Sequence, residues 1–157
     1  CIGIACAMHL GSQVDLVELS PEALALAQQN IQRHQLTASV KAIESDLFAR
    51  VDGRYDLIVS NPPYVDADDL ASMPAEYHHE PVIALAAGVD GLDIARKILA
   101  QSADYLTEQG VLVLEVGNSD LALEKAFPSV PFLWLEFARG GHGVCVFTRQ
   151  ELLEHFS

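Results

Sequence analysis

The spacing of apolar and polar positions changes along this chain in a way that lays out an order of elements. Val14-Asp15-Leu16-Val17-Glu18-Leu19 is a short apolar run with an acid at its end, the pattern of a buried strand. Ser20-Pro21-Glu22 follows. Serine is a good helix N-cap, proline suits the first helical position, and glutamate favours the positive helix end. Leu24, Ala27 and Ile31 then recur at helical spacing, so a helix is expected as far as Gln35. Val40 to Ile43 reads as a second strand. Tyr55 to Ser60 reads as a third, and it runs straight into Asn61-Pro62-Pro63-Tyr64. Two successive prolines cannot donate to a strand ladder and restrict the residue before them, so the third strand stops there.

Val65 to Gly91 reads as a long, acidic, proline-containing loop with one helical turn. Loops this long in compact domains are usually functional or mobile. Leu92, Ala95, Leu99, Ala103 and Leu106 mark a second long helix, and Val111 to Val116 a strand. Gly117-Asn118-Ser119 turns into a short helix ending near Phe127. Phe132 to Phe137 and Val144 to Phe147 are expected as closing strands, joined by a glycine-rich hairpin over Ala138 to Gly143. A last helix is expected over Gln150 to Phe156. Strands alternate with helices, and then two strands follow in succession. The expected fold class is therefore α/β: a doubly wound, mostly parallel sheet with an antiparallel strand at its end. No repeat, linker or low-complexity tract divides residues 1–157, which are expected to form one domain.

Composition narrows the picture. Half of the 157 residues are hydrophobic and 20% are charged, enough for a core without disulfide or metal staples. The 22 acids against 9 bases give a formal net charge of -13. Such a chain is repelled by bare phosphate backbones, and it suits either a basic partner or simple solubility. Cys1, Cys6 and Cys145 are an odd number without paired spacing, so neither a zinc site nor a disulfide framework is expected. A reducing cytoplasm is the simplest compartment. No apolar run approaches the ~20 residues of a membrane span.

In doubly wound sheets, ligands sit beyond the carboxyl ends of the strands. Glu18, Asp46 and Asn61-Pro62-Pro63-Tyr64 all fall at such ends and are expected to line one crevice. An acid after a strand of this kind commonly holds ribose hydroxyls, since a carboxylate accepts two hydrogen bonds from a vicinal diol. The alternative for Glu18 is an exposed strand-end charge, and for Asp46 an ordinary turn residue. The tetrapeptide is more specific. Its prolines remove two donors and stiffen the turn, so the local surface offers acceptors: the Asn61 side-chain oxygen and the Pro62 carbonyl. Acceptors are what an incoming -NH2 group needs, because they hold its protons while its lone pair faces an electrophile. Tyr64 adds an aromatic face for a planar amide or base.

Together, the tetrapeptide, Glu18 in Val-Glu-Leu-Ser-Pro-Glu-Ala-Leu and Asp46 in Ser-Asp-Leu-Phe resemble the HemK-type glutamine methyltransferases. Met73 to Pro81, Ala86 to Leu92, Glu115-Val116-Gly117-Asn118-Ser119 and Gly140-Gly141-His142-Gly143-Val144 resemble most the branch that acts on the third protein of the large ribosomal subunit. The resemblance covers essentially the whole chain. It implies a Rossmann-like fold that binds S-adenosylmethionine (AdoMet) and methylates a glutamine side-chain amide. Glu18 would bind the cofactor's ribose, and Asp46 the exocyclic amine of its adenine, with Leu47 packing on the ring. Asn61, Pro62, Pro63 and Tyr64 would bind the substrate, with Asn61 and Pro62 holding its amide nitrogen, Asn61 also touching the cofactor, and Tyr64 packing near the amide. Glu80-Pro81 resembles an element near the family's active-site loop and is given no chemical role.

Departures from the family pattern set further expectations. Cys1 to Ala7 resembles the residues just after the family's glycine-rich cofactor loop, with Gly3 near its edge as a remaining cofactor contact. The chain is thus expected to be the catalytic domain without its first strand, either part of a longer protein or completed by another chain. The adjacent His78 and His79 point apart in an extended segment and make a poor metal pair. His142 reads as a turn residue, Trp134 as packing, and Cys145 as a strand core residue. The alternatives are a release-factor glutamine methyltransferase, which shares the tetrapeptide, and a nucleic-acid adenine methyltransferase, which the acidic charge disfavours. A non-catalytic AdoMet-fold module and a nicotinamide-dependent oxidoreductase leave the Asn-Pro-Pro-Tyr turn without a use.

Overall fold

A computed structural model describes residues 1–64, 91–138 and 140–157. Most of the expected long loop, including the segment from Met73 to Pro81 with His78, His79 and Glu80, lies outside the described residues. The described chain divides into two compact units, Cys1–Gly53 and Arg54–Ser157.

The first unit contains helix α1 (Ile2–Leu10), strand β1 (Val14–Glu18), helix α2 (Pro21–Arg33) and strand β2 (Val40–Glu44). Periodicity does not announce α1, because its residues are apolar on almost every face and show no helical period. Ser20 caps α2 as expected: its hydroxyl accepts the Ala23 N–H at 3.3 Å. The helix ends two residues earlier than expected, at Arg33. β1 and β2 pair in parallel, Val14 opposite Val40 and Glu18 opposite Glu44. Ala7, Ile31 and Val40 form the core, with Ile4, Val14, Leu16, Leu36 and Ala42 packed around them.

The second unit is larger. It contains strand β3 (Tyr55–Ser60), helix α3 (Asp93–Tyr105), strand β4 (Leu106–Glu115), a 3-10 turn (Gly117–Ser119), helix α4 (Asp120–Ala126), strands β5 (Leu133–Trp134) and β6 (Val144–Thr148), and helix α5 (Arg149–His155). The sheet order is β3-β4-β6-β5. β3 and β4 are parallel, and β6 is antiparallel to both β4 and β5. The described residues thus carry the expected parallel pairs and the antiparallel closure, in two sheets.

Boundaries in this unit also differ from expectation, most of all at β4 and β5. Leu106 opens β4 instead of closing α3, because helix and strand abut without a turn and an apolar residue suits either spacing. β5 has two residues where Phe132 to Phe137 was expected. In β4, Leu106, Leu112 and Leu114 are fully buried, the last two on one face, and the pairing with β3 is irregular between Leu106 and Val111. Helices α3 and α5 pack on β4 and on each other, and their Ile98, Leu99, Ala103 and Leu152 are buried as well. Phe147 packs edge-on against Phe132 and Phe156. A capping box starts α5: Thr148 N–H and hydroxyl donate to Glu151, and these bonds hold the Glu151 carboxyl below its ordinary range.

Cys145 is the expected core residue on β6, fully buried, and burial pushes its thiol up to about 12. The thiolate is the reactive form of cysteine. At about pH 8, a thiol reagent is therefore expected to modify exposed Cys1 in the native protein and to spare Cys145 until denaturant is added. Peptide mass spectrometry reads the pattern; equal labelling of both in the native state would contradict this packing.

Candidate active site

In the first unit, two carboxylates stand at the carboxyl ends of neighbouring parallel strands. Glu18 ends β1 and is half-buried. Its Oε1 accepts the Ser20 N–H at 2.8 Å, which fixes the side chain and leaves acceptor capacity on the carboxylate. Ser45 N–H donates to the Glu18 carbonyl at 3.1 Å, tying the end of β2 to the end of β1. Asp46 follows and is exposed. Leu47 has φ 48, a left-handed backbone that a leucine adopts only under local constraint. That strained residue sits beside Asp46 at the position expected to pack on adenine. Gly3 lies in the first turn of α1, where the side chains of Leu16 and Val14 face its Cα. Its visible role is close packing of helix on strand, which is one use of a glycine in nucleotide-binding βα units.

In the second unit, Asn61 to Tyr64 leaves the carboxyl end of β3. Asn61 is exposed, Pro62 buried, and Pro63 and Tyr64 half-buried. The turn is held at its tyrosine end. The Ser119 hydroxyl donates to the Tyr64 carbonyl at 2.9 Å. The Tyr64 ring lies over Gly117: a Cβ there would stand 2.6 Å from Tyr64 Cζ and 2.9 Å from Cδ2. Gly117 also has φ 49, so glycine is required twice over. Gly91, with φ 72, backs against the Tyr64 carbonyl and leaves no room for a side chain.

A second layer holds the 3-10 turn itself. Val116 N–H donates to the Gly143 carbonyl at 2.7 Å. His142 Nε2 lies 2.9 Å from Asn118 Oδ1. His142 is therefore more than the turn residue expected from sequence, since it ties the glycine-rich hairpin to the turn that carries Ser119. Trp134 also does more than pack: its indole N–H donates to Glu124 at 2.8 Å, and its ring stacks on Phe132. Periodicity gave no signal for Ser119, Asn118 or His142 as neighbours of the tetrapeptide.

These contacts set an expected outcome for Gly117→Ala. In wild type it carries both a left-handed backbone penalty of about 1–2 kcal/mol and a collision with the Tyr64 ring. In a Tyr64→Ala background only the first remains. Chemical denaturation of the double-mutant cycle should give a coupling of at least ~0.5 kcal/mol. Additive effects would show that the ring does not rest on Gly117.

Comparison with known proteins agrees with the fold. Residues 1–77 match the model of the methyltransferase small domain. The ribosomal protein uL3 glutamine methyltransferase of Francisella tularensis is 53% identical over 157 residues, covering 99% of this chain and 50% of that protein. The enzyme of the same name from Neisseria gonorrhoeae is 46% identical over 154 residues, 98% of this chain and 52% of that protein. The chain thus spans about half the length of the curated relatives it matches. Among solved structures, a methyltransferase from Pyrococcus furiosus superposes with TM-score 0.68 at 18% identity, over 94% of this chain and 68% of that one, a likeness of fold. Identity near one half is thus maintained along essentially the whole of this chain with both proteins, and its fold is that of a methyltransferase.

Proposed function

We propose that this chain is the catalytic portion of an enzyme that transfers a methyl group from AdoMet to the side-chain amide nitrogen of a glutamine in ribosomal protein uL3. The observation that carries the reading is an Asn61-Pro62-Pro63-Tyr64 turn locked at the end of β3, in a chain 53% identical to a protein named for that reaction. The net charge of -13 suits a basic ribosomal substrate. Three free cysteines fit a reducing cytoplasm, and no helix among the described residues is long and apolar enough to cross a membrane.

The residues fit the cofactor by their chemistry. Glu18, oriented by the Ser20 N–H, offers acceptors to a ribose diol. Asp46 is an exposed acceptor for the adenine amine, and Leu47 offers an apolar side chain beside it. Gly3 contributes by seating α1 on β1. When bound, AdoMet supplies a methyl group made electrophilic by a sulfonium sulfur.

The chain's own task is to present a poor nucleophile well. An amide nitrogen shares its lone pair with its carbonyl. The Asn61 oxygen and the Pro62 carbonyl accept hydrogen bonds from its two N–H groups and turn the lone pair outward. Orientation of this kind supplies about 7–11 kcal/mol of a barrier. The same acceptors stabilise positive charge as it develops on nitrogen, until one of the two N–H protons is lost to solvent and the methylated amide is neutral. Pro63 keeps the acceptors from reorienting, and the Tyr64 face supports the planar amide.

The test uses protein expressed from the complete reading frame, with methyl-labelled AdoMet and purified uL3, a peptide release factor or DNA as acceptor. Label is expected on a glutamine of uL3. In Asn61→Ala it should fall by roughly 10²-fold. In Glu18→Ala, AdoMet affinity should fall about tenfold or more, from loss of a charged hydrogen-bond acceptor. Label in the release factor alone would overturn the substrate, and label in DNA, or label indifferent to Asn61→Ala, would overturn the reading of the turn.

A further inference from the structure

We infer that Ser119 is a positioning residue for methyl transfer, acting through the Tyr64 carbonyl to hold the Asn61–Tyr64 turn in its working shape. The inference rests on the functional reading above. Serine at a helix N-cap ordinarily turns its hydroxyl onto the first free N–H groups of the helix. Ser119 occupies the N-cap of α4 and makes no such bond. The Leu121 N–H goes instead to the side chain of Asp120, at 2.8 Å. The Ser119 hydroxyl reaches across 55 positions of sequence to the Tyr64 carbonyl, at 2.9 Å.

The surroundings of that bond favour a fixed geometry. Ser119 is 7% exposed, and Gly91 packs against its Oγ with no space for a side chain. Water therefore cannot readily take the hydroxyl's place. Ser119 is itself anchored: its N–H donates to the Val116 carbonyl at 3.0 Å, and the Val116 N–H donates to Gly143. Asn118 beside it is held by His142. The tetrapeptide's prolines restrict its interior, so the carbonyl of Tyr64 is where the turn could still pivot. The bond from Ser119 closes that freedom.

The test compares Ser119→Ala with wild type in protein from the complete reading frame. One readout needs no activity. Tyr64-Val65 is the one Tyr-Val pair in the sequence, so carbonyl-labelled tyrosine with nitrogen-labelled valine isolates the Tyr64 carbonyl by NMR. Its resonance is expected to move upfield in the variant, as a carbonyl does on losing a donor. AdoMet binding, measured by calorimetry, should keep its stoichiometry and stay within about twofold of wild type. The methyl-transfer kcat on uL3 should fall roughly 10–100-fold, since small misplacements cost that much in oriented reactions. An unmoved carbonyl resonance, a wild-type kcat, or a loss of kcat matched by lost AdoMet stoichiometry would each overturn the proposal. If wild type itself fails to methylate uL3, the functional reading falls and the positioning role with it, while the carbonyl resonance still decides whether the clamp exists.

Discussion

The register of β4 with its two neighbours is the constraint on which the site depends. β4 is paired on both edges, with Ser60 of β3 opposite Leu114 and Val144 of β6 opposite Glu115. Because β3 runs parallel to β4 and β6 antiparallel, this register brings three chain segments to one end of the sheet. They are Asn61 to Tyr64 leaving β3, Gly117 to Ser119 leaving β4, and His142-Gly143 entering β6. A slip of one residue would turn the fully buried Leu112 and Leu114 onto the opposite face. The burial that stabilises the sheet therefore also fixes where the turn meets its clamp. Core packing and site geometry are one problem in this unit.

That dependence gives physical meaning to motifs that are separate in sequence. Gly117 accommodates the Tyr64 ring, Ser119 holds the Tyr64 carbonyl, and Gly91 leaves room for both. His142 and Gly143 brace the turn from the other side. The stretches that resemble the ribosomal-protein branch after Gly117 are thus supports of the tetrapeptide. In the first unit, the bond from Ser45 to Glu18 ties the two strand ends, with Asp46 and the strained Leu47 following directly on Ser45.

Local rules carried much of the fold. Ser20-Pro21 announced α2, and the double proline marked the end of β3 at Ser60. Where local signals were silent or double, reading failed. α1 is apolar all round and so has no helical period to detect. Leu106 satisfies helix and strand spacing equally, and β4 claims it through its pairing with Tyr55. For the site, strand-end acids and a donor-poor turn could be read because their chemistry lies in consecutive residues. The clamp could not, since Ser119 and Tyr64 are 55 positions apart and His142 and Asn118 are 24 apart, and neither pair leaves a periodic trace. The proposed substrate class rests on kinship: an acceptor turn suits any -NH2 on a planar carbon, and glutamine is proposed from the names of relatives at 46–53% identity.

The most direct test of the central claim is a structure of the protein from its complete reading frame, bound to demethylated cofactor and a uL3 peptide carrying the acceptor glutamine. The glutamine amide nitrogen should lie within hydrogen-bond distance of both the Asn61 side-chain oxygen and the Pro62 carbonyl, with the Tyr64 carbonyl still held by Ser119. A glutamine amide seated away from that turn, or a turn released from Ser119 in the complex, would contradict it.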